Sequence, residues 1–315
     1  PERQFFQHHF FANDITEQAV VFSEWNHSVL VGGASNNFLK LYDDTWNVKK
    51  DFGSICQLAS SEKNSGTNSA VLSIAQNNTD LWIGSTSGIV KINTKTGHTH
   101  WFHHKENDST SLPRNFVTHL FFDSEVRLWV FPWREGIWML DTTTGKFKEL
   151  WDHFLTSAGG VKKLVISGAA EDNYGNIWMT DLDEGIILFD KKNGTFSKPF
   201  ASQIGEMMHT QSIFYKNGFL YSATSDAFLK WNENSRQLKI IELPPEMNKQ
   251  IYDICPDKKG DWWIITKNGL VVYNEPSGSF RRFTTADGLL NNDMDGSLFC
   301  RSDGMMLFGN YNFIT

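Results

Sequence analysis

The sequence predicts an all-β fold, a seven-bladed β-propeller of four-stranded antiparallel blades that is closed by its N-terminal strand. A pattern of short strands and acidic turns recurs along the chain at intervals of roughly 40 to 50 residues, which is typical of propeller blades. A large aromatic residue recurs at one position of the pattern, and glycine closes many of the turns. Copies of the pattern are anchored at Val29, Leu81, Leu128, Ile177, Leu220, Trp262 and Met306.

The third copy shows the four strands of one blade. "VTHLFF" (Val117–Phe122) is predicted as the inner strand A, followed by strand B over Leu128–Phe131. Strand C is predicted over Gly136–Leu140 and strand D over Lys146–Trp151. These segments are short, rich in β-branched and aromatic residues and bounded by turn residues, as strands are.

Strand B is apolar on both of its sides, as "LWIG", "LWVF" and "IWMT" show. A strand that is apolar on both sides is expected at the centre of a stack of sheets. The aromatic side chains of Trp82, Trp129, Trp178 and Tyr221 are then expected to fill the space of about 10 Å between neighbouring sheets. We therefore expect the three tryptophans to be almost completely buried.

The acidic turns predict capping rather than catalysis. The C–D turns "NTKTG", "DTTTG", "DKKNG" and "NEPSG" begin with Asp or Asn and end with Gly. Asp and Asn side chains cap such turns, and Gly adopts the left-handed backbone conformation that closes them. Asp172 and Asp190 are accordingly interpreted as turn caps.

Closure of the ring is predicted from a count of outer strands. The last copy ends after strand C, whereas an unassigned segment, Arg3–His9, precedes the first strand A at Glu17–Glu24. We expect this segment to supply the outer strand of the seventh blade, with Phe5 and Phe6 on it, because a closed ring leaves no open edge. The sequence is thus expected to form a single propeller over residues 1–315. It starts "PERQFF" without an initiator methionine, which indicates a segment of a longer protein.

Composition argues against several classes of partner. The net charge is −7 and no basic run occurs, so nucleic acid is not an expected partner. No stretch approaches the ~20 apolar residues of a membrane span, so no direct membrane insertion of this segment is expected. Cys56, Cys255 and Cys300 lack the spacing of metal ligands and are predicted to be buried free thiols.

The repeats resemble those of the two-component regulator propeller family. The resemblance rests on the pattern D-x-x-G-x-[IL]-W, which Asp172–Trp178 matches in full and other copies match in part, and on the linker "TTADGLLNNDM" (Thr284–Met294), which is similar to the DGL-x-x-N segment of that family. It extends over essentially the whole sequence. It implies a periplasmic sensor region of a hybrid two-component histidine kinase from glycan-foraging gut bacteria. Such a sensor binds oligosaccharide breakdown products and controls polysaccharide-utilisation genes.

The same resemblance implies the partners. They are an oligosaccharide ligand, a neighbouring propeller and an immunoglobulin-like domain of the same receptor, with a homodimer also compatible. Histidine kinase activity is expected elsewhere in the full receptor. This chain itself is predicted to be no enzyme and to have no cofactor, metal or catalytic residue.

The residues alone leave two other functions open. One is a structural or dimerisation propeller without a ligand of its own. The other is an enzyme of the streptogramin lyase type, whose repeats also read G-x-[IL]-W. Such an enzyme needs a histidine base, a metal and a carboxylate at the central channel. His119 on a strand A and His209 near the channel mouth are the candidates, although no His–Glu–His set recurs at one repeat position.

The ligand is expected on the face that carries the B–C turns and the D–A crossovers. This face has the long, irregular segments 103–115, 152–163 and 201–211, and irregular loops on a rigid scaffold are where recognition usually occurs. Trp133 is extra to the packing pattern and adjoins Arg134, which can bind a carboxylate or sulfate in bidentate fashion. The predicted ligand-binding residues are Trp133, Arg134, Asp181, Asp183, Lys267 and Tyr311.

Overall fold

The computed structural model describes residues 6–10, 19–33, 38–53, 69–77, 79–150, 164–204, 212–225, 227–247, 250–293, 296–310 and 313–314. These residues form antiparallel strands with one helical turn, α1 (Ala201–Ile204), and two 3-10 turns at Pro245–Met247 and Thr285–Asp287. Within these ranges, no helix is both long and apolar enough to cross a bilayer.

Six blades are complete, and each is built from four consecutive strands in the order A-B-C-D. Blade 1 comprises β2 (Ala19–Trp25), β3 (Ser28–Gly33), β4 (Leu39–Tyr42) and β5 (Val48–Asp51). Blade 2 comprises β6 (Val71–Gln76), β7 (Asp80–Ser85), β8 (Gly88–Asn93) and β9 (Thr99–Phe102). Blade 3 comprises β10 (Val117–Phe122), β11 (Leu128–Pro132), β12 (Trp138–Asp141) and β13 (Lys146–Glu149).

The remaining complete blades follow the same plan. Blade 4 comprises β14 (Ile166–Glu171), β15 (Ile177–Asp181), β16 (Gly185–Asp190) and β17 (Thr195–Ser197). Blade 5 comprises β18 (Ile213–Lys216), β19 (Phe219–Ala223), β20 (Ala227–Asn232) and β21 (Gln237–Glu242). Blade 6 comprises β22 (Ile251–Pro256), β23 (Trp262–Thr266), β24 (Gly269–Asn274) and β25 (Ser279–Phe283).

A reduced sheet, here called the closing sheet, lies between blades 6 and 1. It joins β26 (Leu298–Cys300), β27 (Met306–Asn310), β28 (Phe313–Ile314) and the N-terminal β1 (His9–Phe10). Strand β26 contacts β22, and β27 contacts β2. The pairs His9↔Ile314 and Phe10↔Phe313 join the first strand to the last.

The prediction of seven equivalent blades, closed by an outer strand over residues 3–9, is wrong. The structure has six blades of the repeated plan, and the N-terminal segment adds only the two residues of β1 to the closing sheet. Phe6 does not lie on a strand, because its ring packs edge-on against Phe283 and Phe308 at 5.4 and 5.9 Å and is 7% exposed. Burying this ring in the core takes residues 6–8 out of the sheet. Phe5 lies outside the described residues.

The core consists of the layers between neighbouring sheets. Trp82 and Trp129 are 0% exposed and Trp178 is 2% exposed, which confirms the predicted burial of the strand-B tryptophans. Each packs against aromatic side chains, as Trp178 does on Phe200 at 5.7 Å. Aromatic residues at one repeat position therefore hold blade to blade.

The cysteine prediction is confirmed for one thiol. Cys255 is a buried free thiol whose pKa is raised by burial, and Cys300 is a free thiol that is only half-buried. Both belong to the same layer between blade 6 and the closing sheet. Cys56 lies outside the described residues.

Candidate functional site

The two faces of the propeller are named here after their loops. The crossover face carries the B–C turns and the D–A crossovers, and the capped-turn face carries the A–B and C–D turns. On the crossover face, the first residue of a B–C turn donates its backbone N–H to the last crossover residue before strand A. The described pairs are Thr86 to Ala70, Trp133 to Phe116, Leu182 to Val165 and Lys267 to Gln250, with N···O distances of 3.0, 2.7, 3.3 and 3.0 Å. The first residue of each of these turns is therefore held through its backbone N–H, which does not depend on the identity of its side chain.

Trp133 and Arg134 lie together on the crossover face of blade 3. The half-buried Trp133 ring packs edge-on against Phe116 at 5.3 Å, and the Arg134 guanidinium lies over the indole, 5.5 Å from its centre. Arg134 has a left-handed φ of 58° and donates its N–H to Leu164 O at 3.0 Å. The backbone is thus fixed at both neighbouring crossovers, while the guanidinium is exposed.

Two further charged residues complete this patch. Arg114 Nη1 donates to Trp133 O at 3.3 Å and lies 3.6 Å from Glu135 Oε1. Both side chains are partly exposed, so the ion pair contributes little to stability. Arg114, Phe116, Trp133, Arg134 and Glu135 are called the Trp133 platform below. Arg114 and Phe116 were not predicted as site residues. Both lie in the segment "PRNF" (residues 113–116), which leads directly into strand A.

Asp181 is placed differently from Asp183. Asp181 is 1% exposed, and its carboxylate accepts hydrogen bonds from the backbone N–H groups of Val165, Asp183 and Glu184. Burial raises its pKa to about 6, against the opposite effect of these donors. Asp181 therefore ties the B–C turn of blade 4 to its incoming strand and cannot reach a surface ligand. Asp183, by contrast, is exposed.

The remaining predicted residues are not brought to the platform. Lys267 is exposed in the B–C turn of blade 6, which does not adjoin blade 3. Tyr311 lies outside the described residues. The structure thus brings Trp133 and Arg134 together, with Asp183 on the turn of the neighbouring blade.

A cavity of about 370 Å³ opens among the inner strands, and it is called the channel mouth. Five A strands carry a register shift near their start, at Val20, Leu72, Thr118, Ser167 and Tyr252. Such bulges turn a side chain away from the regular pleat. Three of these residues line the cavity, and Leu182 of a B–C turn places it toward the crossover face. The lining residues are Val20, Ser167, Leu182, Ser212, Tyr252, Asp253, Gly296 and Ser297.

Asp253 is the acidic residue of the channel mouth. Its Oδ1 accepts from Ile254 N at 2.8 Å and from the Ser212 hydroxyl, and its Oδ2 accepts from Leu298 N at 2.7 Å. Burial raises the pKa of this carboxyl to about 6. Asp253 therefore joins blades 5 and 6 and the closing sheet through one side chain. No pattern in the sequence distinguishes it, since one acidic residue near the start of a strand carries no recognisable signal.

His119 occupies the position of strand A in blade 3 that Asp253 occupies in blade 6. Its ring packs near Phe131 at 6.0 Å, and burial lowers its pKa to about 4, so the imidazole is neutral at pH 7. His209 lies outside the described residues. In the part of the chain that the structure describes, no three His, Cys, Asp or Glu side chains are grouped as metal ligands.

On the capped-turn face, carboxylates hold the turns. Asp123 and Asp172 each accept the indole N–H of a buried tryptophan, Trp129 and Trp178, at 2.9 Å. The same two carboxylates cap the backbone of their own A–B turns. These acidic side chains are fully engaged by the fold, as expected for Asp172.

A larger cleft of about 500 Å³ lies on this face between blades 2 and 3. Several of its polar side chains are paired with one another. Asp80 binds Lys91 at 3.2 Å, and Asn93 caps its own turn through Thr96.

No protein-family model matches the sequence, and no curated protein matches it. Solved structures do match. The extracellular domain of the hybrid two-component system BT4673 from B. thetaiotaomicron superposes with a TM-score of 0.74 at 17% identity over 99% of this chain. That of the hybrid two-component system BT3049 from the same organism gives 0.71 at 19% identity over 94%. The chain spans 39% and 40% of the length of these two structures.

An enzyme also has this fold. Virginiamycin B lyase from Staphylococcus aureus superposes with a TM-score of 0.70 at 13% identity, over 98% of this chain and 97% of the lyase. At such identities the likeness concerns the propeller fold, which both sensors and lyases use.

Proposed function

We propose that this propeller is a non-catalytic recognition domain of an extracytoplasmic sensor of the hybrid two-component type, and that it binds oligosaccharide fragments on its crossover face. The observation that carries the proposal is the Trp133 platform. An indole and a guanidinium are presented there on a backbone fixed by hydrogen bonds to two crossovers. The likeness to extracellular domains of hybrid two-component systems supports the setting.

The chemistry of the platform suits a sugar. An aromatic ring can stack on the C–H face of a pyranose. Tryptophan suits such a contact because it offers a large apolar ring and a polar N–H group. Arg134 and Arg114 can donate several hydrogen bonds to hydroxyl, carboxylate or sulfate oxygens. Asp183, which lies on the adjoining blade, can accept a hydrogen bond from a sugar hydroxyl. Lys267 and Tyr311 are the weaker members of the proposed set.

The wider proposal places this chain within a longer receptor. The domain is periplasmic, with a neighbouring propeller and an immunoglobulin-like domain as its partners in the same polypeptide. The histidine kinase activity resides elsewhere, and the signal controls polysaccharide-utilisation genes. A single face offers few convergent groups, so a neighbouring domain or a second copy completes the ligand site.

The test is isothermal titration of a panel of neutral and uronate-containing oligosaccharides into the wild type and two variants. Trp133→Ala/Arg134→Ala should weaken binding at least tenfold, a loss of about 1.4 kcal/mol. The matched control is Tyr174→Ala, which removes an aromatic ring that is 71% exposed on the capped-turn face. It should bind as the wild type does.

The proposal fails in two ways. Normal binding by Trp133→Ala/Arg134→Ala, or loss of binding in Tyr174→Ala, would move the site away from the platform. Absence of binding across the panel by the wild type would favour a structural or dimerisation propeller.

A further inference from the structure

One position of strand A, the residue after the bulge, links neighbouring blades. In blade 2, Ser73 Oγ accepts the N–H of Leu120 on the next inner strand at 3.0 Å. In blade 6, Asp253 Oδ2 accepts the N–H of Leu298 in the same way at 2.7 Å. A serine hydroxyl is thus sufficient for the link to the next inner strand. Asp253 adds a second oxygen, which binds Ile254 N and the Ser212 hydroxyl, and a negative charge that the link does not need.

The extra capacity of Asp253 faces the channel mouth. A carboxylate offers about four acceptor sites, and the structure fills three of them, with Ile254 N, the Ser212 hydroxyl and Leu298 N. The remaining site is on Oδ2. Among the described residues that line this cavity, none is Lys, Arg or His, so the lining shown around the carboxylate is neutral.

The hydroxyl of Ser297 is a second indication of a ligand at the channel mouth. Its Oγ is buried and has no hydrogen-bond partner among the described residues. Ser297 lines the cavity and immediately precedes Leu298, whose N–H binds Asp253. Buried hydroxyl groups normally have a hydrogen-bond partner. The unpaired Ser297 hydroxyl, beside a carboxylate with an open acceptor site, therefore indicates a place where a ligand hydroxyl can bind.

We propose that the channel mouth is a subsite for an uncharged sugar residue, one hydroxyl of which bridges Ser297 Oγ and Asp253 Oδ2. A sugar hydroxyl both accepts and donates, which matches a serine donor beside a carboxylate acceptor. The proposal rests on the proposed function, because it extends the same ligand from the crossover face into the channel.

Size and charge select this ligand class. The cavity of about 370 Å³ is far larger than the roughly 30 Å³ of one water. Val20, Leu182 and Tyr252 provide apolar walls for the C–H surfaces of a ring. An anionic residue would meet a carboxylate whose described neighbours include no cation, so any acidic group of the ligand lies outside, toward Arg134.

The test uses two variants that keep an acceptor for Leu298 N. Ser297→Ala removes a hydroxyl that makes no hydrogen bond to the described residues, and Asp253→Ser installs the residue that blade 2 uses at this position. Each should weaken binding of neutral oligosaccharides at least about tenfold in isothermal titration. Ser297→Ala should melt at the wild-type temperature or higher, because an unsatisfied buried group is lost.

The matched control is Ser73→Ala. It removes the link to Leu120 outside the channel mouth, so it should lower the melting temperature and leave affinity unchanged. If Ser297→Ala and Asp253→Ser bind normally while Trp133→Ala/Arg134→Ala does not, the subsite is wrong and the proposed function stands. Tighter binding of ligands that end in a uronate also overturns the subsite. Absence of any sugar binding by the wild type overturns both proposals.

Discussion

The capped-turn face and the crossover face of this propeller differ in the environment of their acidic side chains. On the capped-turn face, the carboxyls of Asp141 and Asp190 accept hydrogen bonds from the Thr144 hydroxyl and from backbone N–H groups of their turns, and these hydrogen bonds lower the pKa of both carboxyls. On the crossover side, Asp181 is buried at the end of a strand B and Asp253 is half-buried on an inner strand, and desolvation raises the pKa of both. The pKa values of these acidic residues are thus shifted in opposite directions on the two faces.

The backbone hydrogen bonds of the crossover face show where the sequence can vary. A turn capped by a side chain requires a suitable acceptor at the capping position, whereas the first residue of a B–C turn is held through its backbone N–H and requires no particular side chain. Trp133 and Lys267 occupy equivalent positions and make the same backbone hydrogen bond to different crossovers. The crossover face can therefore carry recognition residues without loss of fold.

The largest expected effect is on the packing that both faces depend on. Trp178→Ala should lower the free energy of unfolding by about 3–5 kcal/mol, because the cavity left between blades 4 and 5 can collapse only partly. Chemical denaturation checks this. A loss below about 1 kcal/mol would show that the indole is not needed for blade packing.

Removing a cap from the capped-turn face comes next. Asp172→Ala leaves the Trp178 indole N–H and two turn N–H groups without their acceptor, so stability should fall by about 1–3 kcal/mol. Asp183→Ala on the crossover face serves as the control and should change stability by less than about 0.5 kcal/mol. Equal losses in the two variants would contradict the contrast between the faces.

The raised pKa of Asp253 predicts a pH dependence. Its folded pKa of about 6 exceeds the ordinary value of 3.8, so the folded protein binds the proton more tightly than the unfolded chain. The stability this provides is fully present below about pH 4 and is lost as pH rises through about 6. Relative to Asp253→Ser, the wild type should therefore lose on the order of 1 kcal/mol between these pH values. Thermal unfolding of both proteins across the range measures it, and a constant difference would contradict it.

Blade 2 offers a gain of stability. Trp82 Nε1 has no acceptor among the described residues, and the A–B turn of its blade is capped by Asn77, whereas Asp caps this turn in blades 3, 4 and 6. The amide of Asn77 can present a donor where Asp123 presents an acceptor to Trp129. Asn77→Asp should therefore raise stability by about 0.5–1 kcal/mol. An unchanged melting temperature would show that Trp82 is satisfied by other means.

The smallest expected effect belongs to the Trp133 platform. Trp133→Ala/Arg134→Ala should change the free energy of unfolding by less than about 0.5 kcal/mol, because neither side chain is needed to hold the turn. Calorimetry checks this alongside the binding test. A large loss would show that the indole is a packing residue and not a recognition residue.

The repeat pattern predicted most of the fold because it is dictated by local chemistry. Strand β10 has the bounds that "VTHLFF" predicts, and the buried tryptophans follow from one repeat position. The closing sheet could not be predicted in the same way. Whether Phe6 pairs as a strand or packs between Phe283 and Phe308 depends on the space left by distant segments, which local pattern does not contain.

The candidate site was partly predictable for a similar reason. Trp133 is recognisable because it is extra to the packing pattern, and Asp183 because it lies in a turn. The burial of Asp181 could not be recognised from the sequence, since its carboxylate accepts a hydrogen bond from Val165 N, which belongs to another segment. Asp253 and Ser297 are brought together only by the ring of inner strands, so no spacing in the sequence relates them.

The pairing of β1 with β28 has a kinetic consequence. Each of the six blades can form from hairpins between neighbouring segments, whereas His9↔Ile314 joins residues separated by nearly all of the sequence. The entropy of closing a loop grows with the logarithm of its length, and contacts between distant residues form late. We therefore expect this pairing to form last in folding and, because it has only two residue pairs, to open first. In hydrogen exchange, the amides of β1 and β28 should lose protection before those of any complete blade, while the packing of β2 on β27 stays intact.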